Sequence, residues 1–146
     1  MRSKIGVGQT QPTDASFPDL QVVIPHRTVP QTRTALKYAS TFAPGLNVRL
    51  RLLEVHVVPY GVPLDEPTVD PKHLARKLRV LAQETTLPVS VEIIFSRDWE
   101  QGLRRSLAPG SVVVMAMKRS WWPTNDKRLA ARLRRQGHQV MWVETD

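Results

Sequence analysis

The sequence predicts an α/β fold, in which a mostly parallel sheet lies between two layers of helices. Five short segments rich in β-branched residues alternate with four segments that have the period of an amphipathic helix. Three of the strand segments contain the apolar runs VVI, EIIF and VVVMAM, which are typical of strands covered by helices on both faces. Strict alternation of this kind, joined by right-handed crossovers, produces a parallel sheet.

The predicted strands leave four connecting segments as places to search for a site. The strands span residues 20–24, 48–58, 89–95, 111–117 and 139–144. Ligands of such sheets bind beyond the carboxyl ends of the strands, where the strand order reverses. The segments that follow strand ends are residues 25–30, 59–70, 96–98 and 118–125.

The predicted helices lie between the strands and have recognisable ends. They span residues 32–42, 71–83, 99–107 and 126–136. Asp70 is a plausible N-cap before Pro71 at the first helical position, and Gly137 is a typical C-terminal stop. The last helix turns Leu129 and Leu133 inward, which leaves its arginines on the outer face.

Length and composition indicate one domain, residues 19–146, after a flexible arm of residues 1–18 that is rich in glycine, proline and small polar residues. The absence of cysteine excludes a disulfide framework and a thiol nucleophile, and is typical of a reducing compartment. No apolar run is long enough to span a bilayer, and the N-terminus lacks a secretory signal. We therefore expect a cytoplasmic protein without membrane insertion.

The formal net charge of +8 raises nucleic acid, anionic membranes and small anions as partners. Residues 1–73 carry 8 basic and 6 acidic side chains, whereas residues 74–146 carry 13 and 7. Six arginines of the second half invite a nucleic-acid interpretation: Arg104, Arg105, Arg128, Arg132, Arg134 and Arg135. No nucleic-acid-binding motif accompanies them, so solvated helix faces are the favoured interpretation.

Nothing in the sequence predicts a catalyst. The four histidines, His26, His56, His73 and His138, lie on different elements without the spacing of a metal site. Gly-x-Ser-x-Gly, a Walker loop and a paired-carboxylate motif are also missing from the sequence. We expect a non-enzymatic protein that has no metal site.

Three segments resemble the universal stress protein family (UspA-like domains): VVIPHRTVPQTRTALKYA, LRLLEVHVVPYG and GSVVVMAM. The resemblance extends from about residue 20 to residue 144. It implies the universal stress protein / adenine nucleotide alpha hydrolase-like fold, a five-stranded parallel sheet in the order 3-2-1-4-5. It also implies a homodimer formed through the last strand, where an exposed edge needs covering. The candidate interface residues are Val140, Met141, Trp142 and Val143.

The sequence departs from the family at the positions that bind ATP. Arg27 stands where nucleotide-binding members have an aspartate after the first strand. The three glycines that let backbone N–H groups approach the phosphates are replaced by Ala116, Arg119 and Leu129, and the Ser or Thr that follows them is replaced by Ala130. We therefore expect no family-type ATP binding and no cofactor.

A cluster of cations is the main candidate site. The family strand order would bring His26 and Arg27 beside Lys118 and Arg119, where they could hold a phosphate or carboxylate. In the alternative, these side chains reach water and Arg27 pairs with Asp98 or Glu66.

The adjacent Trp121 and Trp122 have two possible roles. They could stack a base of a nucleotide or of a single strand. The favoured alternative is packing against the domain edge or a partner subunit.

The sequence therefore predicts a universal stress protein-like domain that acts in stress response or regulation, through homodimerisation or by sensing a small anionic ligand. Two alternatives stay open. One is a nucleotide-binding member of the family with a rewired pocket, and the other, less favoured, is a basic accessory protein that binds nucleic acid.

Overall fold

The computed structural model describes residues 19–41, 47–66 and 68–145, and the predicted N-terminal arm lies outside this part of the chain. Strands and helices alternate throughout. In chain order they are β1 (Asp19–Pro25), α1 (Val29–Ala39), β2 (Asn47–Val57), α2 (Pro71–Ala82), β3 (Val89–Ser96), α3 (Trp99–Ser106), β4 (Val112–Lys118), α4 (Asn125–Arg135) and β5 (Gln139–Thr145). Every predicted strand and helix is therefore confirmed.

The five strands form one parallel sheet in the order β3-β2-β1-β4-β5. This confirms the predicted α/β fold and the predicted strand order 3-2-1-4-5. The chain runs outward from β1 to β2 and β3, then crosses back to β4 and β5. The strand order consequently reverses between β1 and β4, which is where open α/β sheets most often bind ligands.

Local signals explain where the helices begin and end. The Asp70 carboxylate accepts a hydrogen bond from the Lys72 N–H, which confirms the predicted N-cap of α2. Helix α1 begins three residues earlier than predicted, because the Thr28 hydroxyl accepts from the Gln31 N–H and Pro30 occupies the first turn. Gly137 has φ +94° just after α4, as the predicted stop requires.

Two cores lie on opposite faces of the sheet, and alternate strand residues contribute to each. On one face, Ile24 and Leu52 pack against α1 and α2. On the other, Val23 and Leu53 pack against α3 and α4. At the carboxyl end of a strand, a polar residue that follows the core residues at a spacing of two lies on the same face of the sheet as they do.

Helix α3 approaches the sheet very closely at Gly102. A Cβ built there would lie 2.7 Å from Val55 Cγ1 and 2.8 Å from Ser96 Cβ, so glycine sets this spacing. Arg132 of α4 donates two hydrogen bonds to the Glu100 carboxylate, at 2.8 and 2.6 Å, and thereby ties the two helices of this layer together. These hydrogen bonds lower the pKa of Glu100.

Strand β5 is an edge strand, as predicted, and Arg134 covers part of its free edge. Gln139 donates to the Ser111 carbonyl and Thr145 accepts from the Arg119 N–H, so the odd-numbered residues of β5 face β4. The Val140 carbonyl therefore points to the open edge, where it accepts a hydrogen bond of 2.6 Å from Arg134. Among the described residues, no helix is long and apolar enough to cross a membrane.

Candidate functional site

A cleft of about 440 Å³ lies at the carboxyl ends of β1 and β2, beside α2 and the first turns of α1 and α3. Its floor is largely apolar and its polar groups converge from three elements. The lining residues are His26, Arg27, Val29, Glu54, Val55, Leu74, Lys77, Leu78, Leu81 and Trp99. Polar atoms contribute more of the accessible lining than apolar atoms do. A cleft in which a few polar groups converge beside apolar side chains is a common form of small-molecule site.

Glu54 reaches the cleft because it continues an inward-facing row of β2. Leu50 and Leu52 point into the core under α1 and α2, and Glu54 is the next residue on that face. Its side chain is 18% exposed. Within the described chain its carboxylate accepts no hydrogen bond, and the His26 imidazole is near it, with Nε2 4.0 Å from Glu54 Oε1. A sheltered carboxylate without a hydrogen-bond donor is suited to accept one from a ligand.

His26 occupies the matching position on β1, after Val22 and Ile24 on the same face. Its backbone N–H donates to the Leu53 carbonyl at 2.7 Å, and its Nδ1 lies 2.6 Å from the Thr32 hydroxyl. Burial lowers the pKa of His26 below its ordinary value of 6.5; Glu54 acts in the opposite direction and Lys77 in the same one. The imidazole is therefore neutral at pH 7.

Arg27 points to the opposite face, towards α3 and α4. Its Nη1 donates to Asp126 Oδ1 at 2.9 Å, and its guanidinium lies 4.4 Å from the centre of the Trp99 ring. The expected pairing with Asp98 or Glu66 was wrong. The Asp98 carboxylate instead caps α3 by accepting from the Gln101 N–H. The charge of Arg27 is thus already paired within the domain.

The structure does not unite the six candidate residues in one cluster. Only His26 and Arg27 line the cleft. Lys118 is exposed at the end of β4. Arg119 is 76% exposed and lies 3.6 Å from the Glu144 carboxylate on β5, rather than beside Arg27. The predicted cation cluster is therefore divided between a partly buried pair and an exposed pair.

Trp121 and Trp122 do not pack against their own domain. They are 89% and 66% exposed, and their ring centres lie 5.3 Å apart at an angle of 44°. The Trp122 N–H donates to the Ser120 hydroxyl, and the Lys127 ammonium donates to the Ser120 carbonyl. These bonds shape the β4–α4 connection so that both rings extend into solvent.

The four β5 residues predicted as a dimer interface are largely engaged in the monomer. Val140 is buried in the core, and Met141 and Val143 are half-buried. Trp142 is half-buried, with the Arg134 guanidinium 4.3 Å from its ring centre. Pairing through this strand stays a prediction.

Most of the helix arginines contact their own domain. Arg104 and Arg132 pair with Glu100, Arg105 donates to the Ser96 hydroxyl, and Arg134 covers the β5 edge. For Arg128 and Arg135, no partner is found among the described residues. Of these six arginines, two are thus left free to contact a polyanion.

The positions that match the family's ATP-binding motif are mostly filled with core side chains. Ala116 is 6% exposed, Leu129 is 4% exposed and Ala130 is fully buried. Arg119 is the exposed exception. Nowhere in the described ranges do three or more histidine or acidic residues form a group that could hold a metal ion.

Sequence reasoning missed three polar or aromatic residues of the cleft: Glu54, Lys77 and Trp99. For Glu54 a signal was present, because the period of two along β2 places it on the face of Leu50 and Leu52. The spacing of Leu74, Lys77, Leu78 and Leu81 likewise places Lys77 on the side of α2 that borders the cleft, although Lys77 itself is exposed. The position of Trp99 in the wall depends on how closely α3 approaches the sheet.

Comparison with known proteins adds no family assignment. No protein-family model matches the chain, and no curated protein matches it. Function is therefore argued from the geometry of the site.

Proposed function

We propose that this chain is a universal stress protein-like, non-enzymatic domain that senses a small anionic ligand in the cleft at the ends of β1 and β2. The observation that carries the proposal is a cleft of about 440 Å³ whose lining includes both the sheltered Glu54 carboxylate and Lys77, a cation without an ion-pair partner among the described residues. The α/β fold and the three segments that resemble universal stress proteins support the proposal that the domain is universal stress protein-like. The absence of cysteine supports a cytoplasmic location. The resemblance to universal stress proteins supports a role in stress response or regulation.

The lining defines the chemical class of the ligand. Lys77 supplies a point charge for a phosphate or carboxylate, and Glu54 accepts from hydroxyl or amine groups at the other end. Neutral His26 can donate or accept without adding charge. Leu78 and Leu81 form an apolar floor. A small hydroxylated molecule with one anionic group, such as a sugar phosphate or a nucleoside monophosphate, satisfies all of these groups.

Family-type ATP binding is not part of the proposal. The resemblance implies three glycines beside the phosphates in that mode, and this chain has Ala116, Arg119 and Leu129 at those positions. Arg27 stands at the position of the family aspartate and is paired with Asp126. A nucleotide-binding family member with a rewired pocket, the alternative interpretation, would use the same cleft. Nucleoside monophosphates are therefore tested as ligands.

Thermal unfolding in the presence of ribose 5-phosphate, AMP, ATP and inorganic phosphate tests the proposal. We expect ribose 5-phosphate or AMP to raise the unfolding temperature more than inorganic phosphate does, and ATP to give no advantage over AMP. A ligand at 100 times its dissociation constant adds about 2.7 kcal/mol to the free energy of unfolding.

Two variants test whether the ligand that stabilises the protein binds in the cleft. Lys77→Gln and Glu54→Gln should each weaken the stabilisation by about tenfold in ligand concentration, because each removes one charged contact. Arg76→Gln is the matched control, since Arg76 is an exposed neighbour on α2 outside the cleft. Equal responses of all three variants, or no response of the unmodified protein to any probe, would contradict the proposal.

A further inference from the structure

The exposed apolar side chains of the domain lie almost entirely at one edge of the sheet. Within the described residues, seven large hydrophobic residues are exposed: Val29, Val57, Tyr60, Leu64, Val80, Trp121 and Trp122. All but Val80 are at, or directly after, the carboxyl end of a strand. Large exposed apolar patches mark interaction sites, so this edge is a candidate for a macromolecular contact.

Two connections at this edge carry opposite charge. The β2–α2 connection exposes Tyr60 and Leu64 and continues with Asp65 and Glu66, both exposed. For these two carboxylates, no ion-pair partner is found in the part of the chain that the structure describes. The Arg97 guanidinium lies 5.4 Å from the centre of the Tyr60 ring, so the negative charge is confined to the end with Asp65 and Glu66. This connection is therefore an apolar surface with an acidic end, called here the acidic loop (residues 60–66).

The β4–α4 connection also exposes large apolar side chains beside charged residues, but its charges are positive. It exposes Trp121 and Trp122 directly after the exposed Lys118 and Arg119. It is called here the basic loop (residues 118–122). Strands β2 and β4 flank β1 in the sheet, so the two loops start about 10 Å apart at the same edge.

We propose that this edge binds a second copy of the chain, with the basic loop of each copy on the acidic loop of the other. A two-fold axis through the edge produces both contacts at once, because an isologous interface needs a surface that carries its own complement. Aromatic pairs then pack against Tyr60 and Leu64, while Lys118 and Arg119 face Asp65 and Glu66.

The available area is sufficient for a dimer. Trp121, Trp122 and Tyr60 are 89%, 66% and 81% exposed. Aromatic residues bury about 150–250 Å² each, so three of them on two copies provide roughly 1,000 Å². Leu64 and Val57 add to this, which brings the interface into the range of specific complexes.

The charge pattern favours a second copy over a polyanion. A nucleic acid or an anionic membrane would be attracted by the basic loop but repelled by Asp65 and Glu66 at the same edge. The free edge of β5 is a weaker candidate, since Arg134 already occupies its Val140 carbonyl and covers the Trp142 ring.

Sedimentation equilibrium of charge-reversed variants of the full chain tests the proposal. The unmodified protein should dimerise, and Lys118→Glu with Arg119→Glu should raise the dimer dissociation constant about tenfold or more, as should Asp65→Lys with Glu66→Lys. Combining all four substitutions should restore dimerisation, because the complementarity is re-formed with reversed signs.

Matched controls separate this edge from other surfaces. Leu64→Ser should weaken the dimer, whereas Val80→Ser, at the one exposed apolar site away from the edge, should not. Arg134→Glu reverses a charge at the free edge of β5 and should leave the dimer intact. A protein that is monomeric at all concentrations would overturn the proposal, as would a dimer lost in Arg134→Glu but kept in the charge-reversed variants. Failure of the combined variant to regain dimerisation would also overturn it.

Discussion

The cleft and the basic loop are both at the carboxyl edge of the sheet, but they differ in what surrounds their polar groups. In the cleft, Glu54 and His26 are sheltered by strand ends and helices, and the Glu54 carboxylate accepts no hydrogen bond in the described chain. In the basic loop, Lys118 and Arg119 are exposed beside two exposed tryptophans, and Arg119 also lies 3.6 Å from the Glu144 carboxylate. Water already satisfies the exposed cations, whereas only a ligand or a bound water can satisfy the sheltered carboxylate.

This difference assigns separate roles to the cleft and the basic loop, which the sequence analysis had predicted to form one cluster of cations. A small ligand gains affinity from enclosure and desolvation, which the cleft provides. A protein partner gains it from exposed aromatic area and complementary charge at the rim, which the two loops provide. Arg27 lies between the regions, where its bond to Asp126 and its contact with Trp99 make it part of the scaffold.

The largest expected effect comes from disturbing the wall of the cleft. Gly102→Val places side-chain atoms where a Cβ alone would lie 2.7 Å from Val55 Cγ1, so α3 and its Trp99 must move away from β2. We expect a loss of about 2 to 3 kcal/mol in the free energy of unfolding, measured by urea denaturation. Gly61→Val is the control, because nothing lies within 4 Å of a Cβ at that position. Similar stability of the two variants would show that the close approach of α3 has little energetic weight.

Replacing Arg27 tests whether it supports the scaffold or holds the ligand. Arg27→Gln loses the bond to Asp126 and the contact with the Trp99 ring, and should reduce stability by about 1 kcal/mol because the pair is partly exposed. Stabilisation by ribose 5-phosphate should change much less than in Lys77→Gln. A variant with normal stability that no longer responds to the probe would assign Arg27 to the ligand instead.

The smallest expected effect is a pH dependence that arises from His26. Its folded-state pKa is lowered by burial, so the folded state binds a proton less readily than the unfolded chain does. Stability from neutral His26 is fully present above pH 6.5 and falls as the pH drops from 6.5 towards the lowered folded value. In His26→Asn this contribution is absent, so the stability difference from the unmodified protein should shrink on acidification, by on the order of 1 kcal/mol or less.

Urea denaturation at neutral and mildly acidic pH measures this shrinkage. His73→Asn serves as the control, because His73 is exposed on α2. Parallel pH profiles for the unmodified protein and His26→Asn would show that burial of this imidazole does not influence stability.

The fold could be predicted from the sequence because its local signals agree with one another. The apolar runs of β1 and β4, the Asp70–Pro71 start of α2 and the Gly137 stop each indicate the element that is found. The site was predicted less well. The family strand order placed Arg27 near the ends of β1 and β4, but the partner of its side chain depends on the face of the strand to which it points. Arg27 continues the row of Val23, towards α3 and α4, and therefore meets Asp126 and Trp99.

Glu54 shows the opposite case, a residue that was not predicted as part of the site although its face of the strand could be read from the sequence. Two leucines of β2 precede it at a spacing of two, which predicts a carboxylate at the end of a buried row. Whether such a row ends in a cleft or under a helix depends on the packing of α2, which strand periodicity does not determine.

A crystal structure of the protein soaked with ribose 5-phosphate tests the central claim most directly. The account predicts density in the cleft, with the phosphate at Lys77 and a hydroxyl group within hydrogen-bond distance of the Glu54 carboxylate. Density at Lys118 and Arg119 with an empty cleft, at a concentration that stabilises the protein in solution, would contradict it.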